Sequence, residues 1–166
     1  MDAELAIGWE GWFSLGLVVL CFVLFAFTRI AADAVTSATL DKTGAASLVA
    51  GWLIGLANGN PWGTLALVFV AASLLTSIAT NNVAAVLVFP IAVQAAAAIG
   101  VSPLPFLITL MVAASAAFAT PIGYQTNLMV FNVGGYRFSD FLRIGVPLTI
   151  LVGLVTVLVV PLVWRF

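Results

Sequence analysis

Histidine is absent from this 166-residue chain, and cysteine occurs once, at Cys21. With no imidazole and a single thiol, neither a zinc-type ligand set nor a nucleophile–base pair of the hydrolase kind can be assembled. The sequence therefore points away from an enzyme, and no cofactor is expected. A lone cysteine also forms no intrachain disulfide, so Cys21 reads as a small apolar filler. Charge is almost as scarce. Only 7% of residues are charged, against roughly a quarter in soluble domains. None of these charges falls within an apolar run, which leaves no intramembrane carboxylate or histidine for a proton relay. The net charge of −1 offers no basic surface for nucleic acid. A secretory leader is not expected either. Asp2, Glu4 and Glu10 stand where basic residues would, and the first apolar run reads as a retained helix.

What fills the chain is hydrocarbon, at 64% hydrophobic residues. The expected fold is an all-α integral membrane protein, a single membrane domain over residues 1–166. Its pieces are a transmembrane helix over 12–30, a second over 44–58, a helical hairpin over 62–99 with its tip at 80–82, a broken helix over 103–133 and a last helix over 141–164. The first run has about the ~20 residues a bilayer crossing needs. Asn58-Gly59-Asn60-Pro61 is a strong turn cluster. The tryptophans 9, 12, 52, 62 and 164 lie mostly near run ends, as interface anchors do. With the acidic N-terminus outside, Arg29, Lys42, Arg137 and Arg143 fall on the cytoplasmic side and Arg165 outside, in keeping with the positive-inside rule. The hairpin returns to the face it left whether its arms cross fully or re-enter.

Two polar interruptions carry the chemistry. One is Thr80-Asn81-Asn82 between two apolar arms, preceded by Ser73, Thr76 and Ser77. The other is Thr120-Pro121-Ile122-Gly123, followed by Gln125, Thr126 and Asn127. Each has a plain structural explanation. Asn81 or Asn82 could cap the second arm, and Pro121 could merely kink a helix that Gly123 lets bend. Their occurrence in consecutive apolar elements favours a joint role. Backbone that leaves the helix within lipid must be buried in protein or line a cavity. Half-helix N-termini suit an anion, while unwound carbonyls near Ala79 and Ala119, with Asn and Thr oxygens, suit a small hard cation such as Na⁺. Gly51 and Gly55 form a GxxxG spacing, a hint of close helix packing.

The stretch Ala114-Ser115-x-x-Phe118-x-x-Pro121-Ile122-Gly123-x-x-x-Asn127-x-Met129-Val130 resembles the signature of the divalent-anion/Na⁺ symporter family, which includes the solute-carrier-13 and citrate-transporter-like permeases. Thr80-Asn81-Asn82 resembles that family's Ser-Asn-Thr or Ser-Asn-Asn tip, with Thr80 in place of serine. Residues 40–45 and 134–142 resemble the segments that flank these motifs. The resemblance implies an elevator-type secondary transporter of two inverted repeats. This chain would supply most of the second repeat, as an internally shortened permease. It further implies a Na⁺ site around Thr80, Asn81, Ala119, Thr120 and Pro121, and an anion site on Asn81, Asn82, Thr120, Thr126 and Asn127. Dicarboxylates, citrate or sulfate would be the substrates, Na⁺ the coupling ion, and the bacterial inner membrane the location. The lipid bilayer and a second copy or complementary half would be its partners. The competing expectations are a non-transporting accessory module that assembles with a full-length carrier, and, third, a pore.

Overall fold

The computed structural model describes residues 44–166. The expected helix over 12–30 and the segment at 40–43 lie outside the described residues. Within them, every regular element is an α-helix: α1 Ala45–Leu56, α2 Pro61–Ile78, α3 Asn81–Ile99, α4 Leu104–Ser115, α5 Gln125–Gly134 and α6 Phe138–Val163. Three of these, α2, α3 and α6, are long and apolar enough to cross a membrane.

Local chemistry sets each boundary. Asn58 and Gly59 adopt left-handed backbone after α1, the turn that the Asn-Gly-Asn-Pro cluster predicts. Asn60 then caps α2 by accepting the Trp62 N–H at 2.9 Å, with Pro61 just inside the helix, where its missing N–H costs nothing. α2 stops at Ala79, whose backbone is extended. α3 closes on Gly100 at φ 71°, and the Val101 N–H reaches back to the Ala96 carbonyl at 3.1 Å. Asp140 accepts the Arg137 N–H at 2.8 Å and so pins the start of α6.

The helices pack through small residues. Ala84, Ala92, Ala95 and Ala96 of α3 are fully buried; where lipid removes most of the hydrophobic drive, close backbone approach is what holds helices together. α4 packs against both arms of the hairpin, α1 against α3, and α6 against α2 and α4. The core joins Leu65, Val68 and Phe69 of α2, Val88 and Ala92 of α3, and Phe106 and Leu110 of α4. Gly153 lets α6 settle on the Phe69 ring, where an added Cβ would stand 2.7 Å from the ring edge. One end of the assembly is marked by Trp62, Phe106 and the terminal Phe166, whose rings meet edge to face and tilted at 5.8 and 6.0 Å.

The elements differ from the sequence reading in three places. The hairpin turn is Ala79–Thr80, and Asn81 and Asn82 already belong to the first turn of α3. The fifth element breaks earlier and over a longer span than the expected 120–126, with α4 ending at Ser115 and α5 starting at Gln125. The apolar character of Ala116–Ala119 hid that early end, because alanine is an excellent helix former when only propensity is counted. The last helix starts at Phe138, three residues before the expected 141, because Asp140 supplies an N-terminal bond that hydropathy does not register.

Candidate functional site

The hairpin turn and the broken segment meet. Thr76, in the last turn of α2 and wholly buried, brings its Oγ1 to 2.7 Å from the Ala114 carbonyl at the end of α4. The same oxygen lies 2.9 Å from the Asn81 side chain at the start of α3. One residue further along α2, the Ser77 carbonyl accepts a short hydrogen bond from the Thr120 hydroxyl. Thr120 Oγ1 also receives the Gly123 N–H at 3.3 Å. Gly123 presses against the backbone of Thr76 and Ser77 so closely that any Cβ there would overlap the Thr76 carbonyl. Its glycine is therefore demanded by space and not by a left-handed φ.

Asn127 closes the broken segment on itself. From the first turn of α5 its Nδ2 donates to the Ala117 carbonyl at 2.8 Å and lies 3.4 Å from the Thr120 carbonyl. Backbone that has left the helix is thus stitched by one amide, as burial requires. α6 braces the segment from behind, with Gly145 packed on the Phe118 carbonyl and an added Cβ falling 2.7 Å from the Ala119 Cα.

Of the residues singled out in the sequence, the structure joins Asn81, Thr120 and Asn127 into this hydrogen-bonded set. Asn81, Ala119, Thr120 and Asn127 are half-buried and Pro121 is buried. Thr80 is exposed and caps α3, accepting the Val83 N–H at 3.5 Å; the cap is the threonine and neither asparagine. Asn82 and Thr126 are exposed, and no side-chain hydrogen bond ties them to the set among the described residues. Sequence reasoning gave no role to Thr76 and Gly145. A threonine five positions before Asn81 was the available signal for the first, and a glycine in an otherwise bulky helix for the second.

Four helix ends converge here. The carbonyl ends of α2 and α4 and the N–H ends of α3 and α5 all lie at the junction. Carbonyl ends carry partial negative charge and N–H ends partial positive charge. The junction therefore presents partial charges of both signs side by side. Two cavities flank it. One, of about 300 Å³, is lined by Asn127, Tyr136, Asp140, Phe118 and Phe141. The other, of about 370 Å³, lies between α2 and α6, reaches Ala119, and is apolar apart from Ser73, Ser77 and Thr149. Among the described residues, no group of acidic or thiol side chains could hold a transition metal.

The family described as citrate transporter matches residues 10–166. A chain described as an uncharacterized transporter from Synechocystis sp. is 51% identical over 100 residues, 60% of this chain and 16% of that one. Sodium/sulfate cotransporter 1 of Chlamydomonas reinhardtii is 36% identical over 123 residues, 73% of this chain and 14% of the relative. Solute carrier family 13 member 2 of Oryctolagus cuniculus is 29% identical over 120 residues, 72% of this chain and 20% of the relative. The chain thus spans a fifth or less of the length of these relatives.

Proposed function

The chain belongs to the citrate transporter family, and on that premise we propose that it forms part of a Na⁺-coupled permease for small anions. The observation that carries the reading is the meeting of two helix breaks at one point, fastened through Thr76 and Thr120. Isolated kinks need no such fastening. Two unwound segments locked together make a compact set of oxygen and N–H groups within apolar helices, the arrangement a carrier needs for an ion and its co-substrate.

Roles follow from the geometry. Na⁺ prefers oxygen ligands, and the carbonyl ends of α2 and α4 together with Thr80, Asn81, Ala119, Thr120 and Pro121 would supply them. The anion would lie against the N-terminal turns of α3 and α5, on Asn81, Asn82, Thr120, Thr126 and Asn127. Among the described residues no arginine or lysine stands there, so the anion's charge would be balanced by the bound cation and the helix ends. That arrangement makes the two bindings interdependent, which is the basis of coupling. Citrate and sulfate are the first substrates to try, given the family's description and the sulfate relatives. A second copy or a complementary half would cover the other side of the site, in the bacterial inner membrane.

The test is uptake of labelled citrate, sulfate and succinate into proteoliposomes under an inward Na⁺ gradient. Uptake of at least one is expected, falling by about tenfold or more in Asn81→Ala and Asn127→Ala, the loss of one charge-assisted bond each. If no substrate accumulates, the permease reading fails. If uptake is present but untouched by both substitutions, the site lies elsewhere.

A further inference from the structure

The cavity of about 300 Å³ between α5 and α6 changes character along its length. Asp140, Ile144 and Leu148 are spaced four apart on α6 and line it in one column. Leu151 and Val155 carry an exposed apolar face further along the helix. At the polar mouth the Asp140 Oδ2 accepts the Arg137 N–H at 2.8 Å. Among the described residues no side-chain donor engages that carboxylate, so Oδ1 is left for the cavity. Three aromatic side chains, Phe118, Tyr136 and Phe141, share the same walls, with the Tyr136 and Phe141 rings edge to face at 6.2 Å. A carboxylate and aromatic rings around one small space attract an organic ammonium ion and repel an anion.

The depth of the cavity indicates where that ammonium comes from. α6 has 26 residues, about 39 Å at 1.5 Å per residue, against a hydrocarbon core of about 30 Å. Centred across the bilayer, the helix leaves about 4–5 Å, roughly three residues, in the headgroup layer at each end. Asp140, the third residue of α6, then stands where headgroups give way to acyl chains, with Ile144 and Leu148 below it. Arg137 and Arg143 flank it and are exposed, and guanidinium groups suit a phosphate. A phosphatidylethanolamine headgroup carries its ammonium beside its phosphate. One such lipid can meet both kinds of charge while its acyl chain follows Ile144 and Leu148.

We propose that this cavity is a lipid site selective for phosphatidylethanolamine, with the primary ammonium held by Asp140 and the rings of Tyr136 and Phe141 and the phosphate by Arg143. A primary ammonium has three N–H donors, which the Asp140 Oδ1 and the Tyr136 hydroxyl can accept. The trimethylated headgroup of phosphatidylcholine has the charge without a donor, and phosphatidylglycerol has no cation. Phe118 and Gly145 line the cavity and also pack at the broken segment, so a lipid seated there braces the break.

The test measures lipid binding to the chain in detergent, by thermal stabilisation and by native mass spectrometry. The probes are phosphatidylethanolamine, its N-methyl and N,N-dimethyl derivatives, phosphatidylcholine and phosphatidylglycerol, all with the same acyl chains. Phosphatidylethanolamine should bind about tenfold more tightly than phosphatidylcholine, the worth of one charge-assisted hydrogen bond, with affinity stepping down along the methylation series. Phosphatidylglycerol should show no preference over phosphatidylcholine. Asp140→Asn keeps an acceptor for the Arg137 N–H and should abolish the preference. Phe141→Leu keeps an apolar wall and should reduce it about threefold, which supplies a second variant. Arg143→Gln should weaken all these phospholipids alike and leave their ratios unchanged. Soluble ethanolamine, added in phosphatidylcholine micelles, should bind far more weakly than the lipid because it brings no acyl chain.

Equal binding of phosphatidylethanolamine and phosphatidylcholine by the parent would overturn the proposal. So would a preference that survives Asp140→Asn, or soluble ethanolamine binding as tightly as the lipid. Neither Na⁺ nor anion uptake enters these measurements, so loss of the lipid site leaves the permease reading intact.

Discussion

Gly123 shows how much of the site rests on a missing side chain. Its position in Thr-Pro-x-Gly is legible as a helix break from the sequence alone, but the reason for glycine is not. The residue abuts the Thr76 carbonyl and stands 3.2 Å, at its Cβ direction, from the Ser77 Cα; the neighbour is backbone and cannot swing aside. Gly123→Ala should therefore lower stability by about 1–3 kcal/mol, the usual range for overpacking. Thermal unfolding in detergent would show it, and an unchanged midpoint would mean the two breaks are not in contact. Thr76 was harder to read. Threonines in membrane helices commonly bond their own helix four residues back, as Thr149 and Thr156 do here. Only the fold reveals that Thr76 instead reaches across to α4. Asn81 and Asn127 were legible because a carboxamide in an apolar run needs a partner, although which partner depended on the tertiary meeting of two segments.

At the level of the helix, hydropathy located the elements and missed their ends. The run through Ala119 looks continuous, yet α4 stops at Ser115, since the Ala114 carbonyl is claimed by Thr76 and the chain turns toward α2. The start of α6 was set by a polar contact that an apolar window averages away. Asp140 bonds the Arg137 N–H and sits in the first turn, where a negative charge also meets the positive end of the helix. Asp140→Ala should cost about 0.5–2 kcal/mol, and Asp140→Asn should recover most of it because the amide oxygen can still accept. Equal losses in the two variants, measured by chemical or thermal unfolding, would show that charge rather than the bond holds this end. The bracing of the broken segment by Gly145 belongs to the same scale. It places a small residue of α6 against Phe118 and Ala119, so the position of α6 and the course of the break are set together.

Across the whole molecule, the aromatic cluster of Trp62, Phe106 and Phe166 marks one end and the Arg137–Arg143 segment the other. By the positive-inside rule, two arginines at this end against one at the aromatic end, among the described residues, would place it in the cytoplasm. Cysteines introduced at Asn58 and Ser102, at the two feet of the hairpin, should then react with an impermeant maleimide from the outer face. One at Ser139 should react only from the inner face. Reaction of positions 58 and 139 from the same side would invert or abolish this topology. The all-α architecture was readable from composition, because lipid admits few alternatives. The level at which the two breaks meet along the bundle was not, since it depends on Gly145 and not on any run of residues.

That level has an electrical meaning. Gly145, which touches the broken segment, stands about 27 Å along α6 from Val163 but only about 10 Å from Phe138, at 1.5 Å per residue. If the proposed Na⁺ site is right and α6 spans the bilayer with its aromatic end outward, a cation arriving from that end would have crossed the larger part of the membrane's voltage drop before it is bound. A full 100 mV is worth about 2.3 kcal/mol per elementary charge. The resting potential would thus act chiefly on the filling of the site, drawing Na⁺ down a deep and narrow well, and would leave little further work for the field in the step that releases it to the cytoplasm.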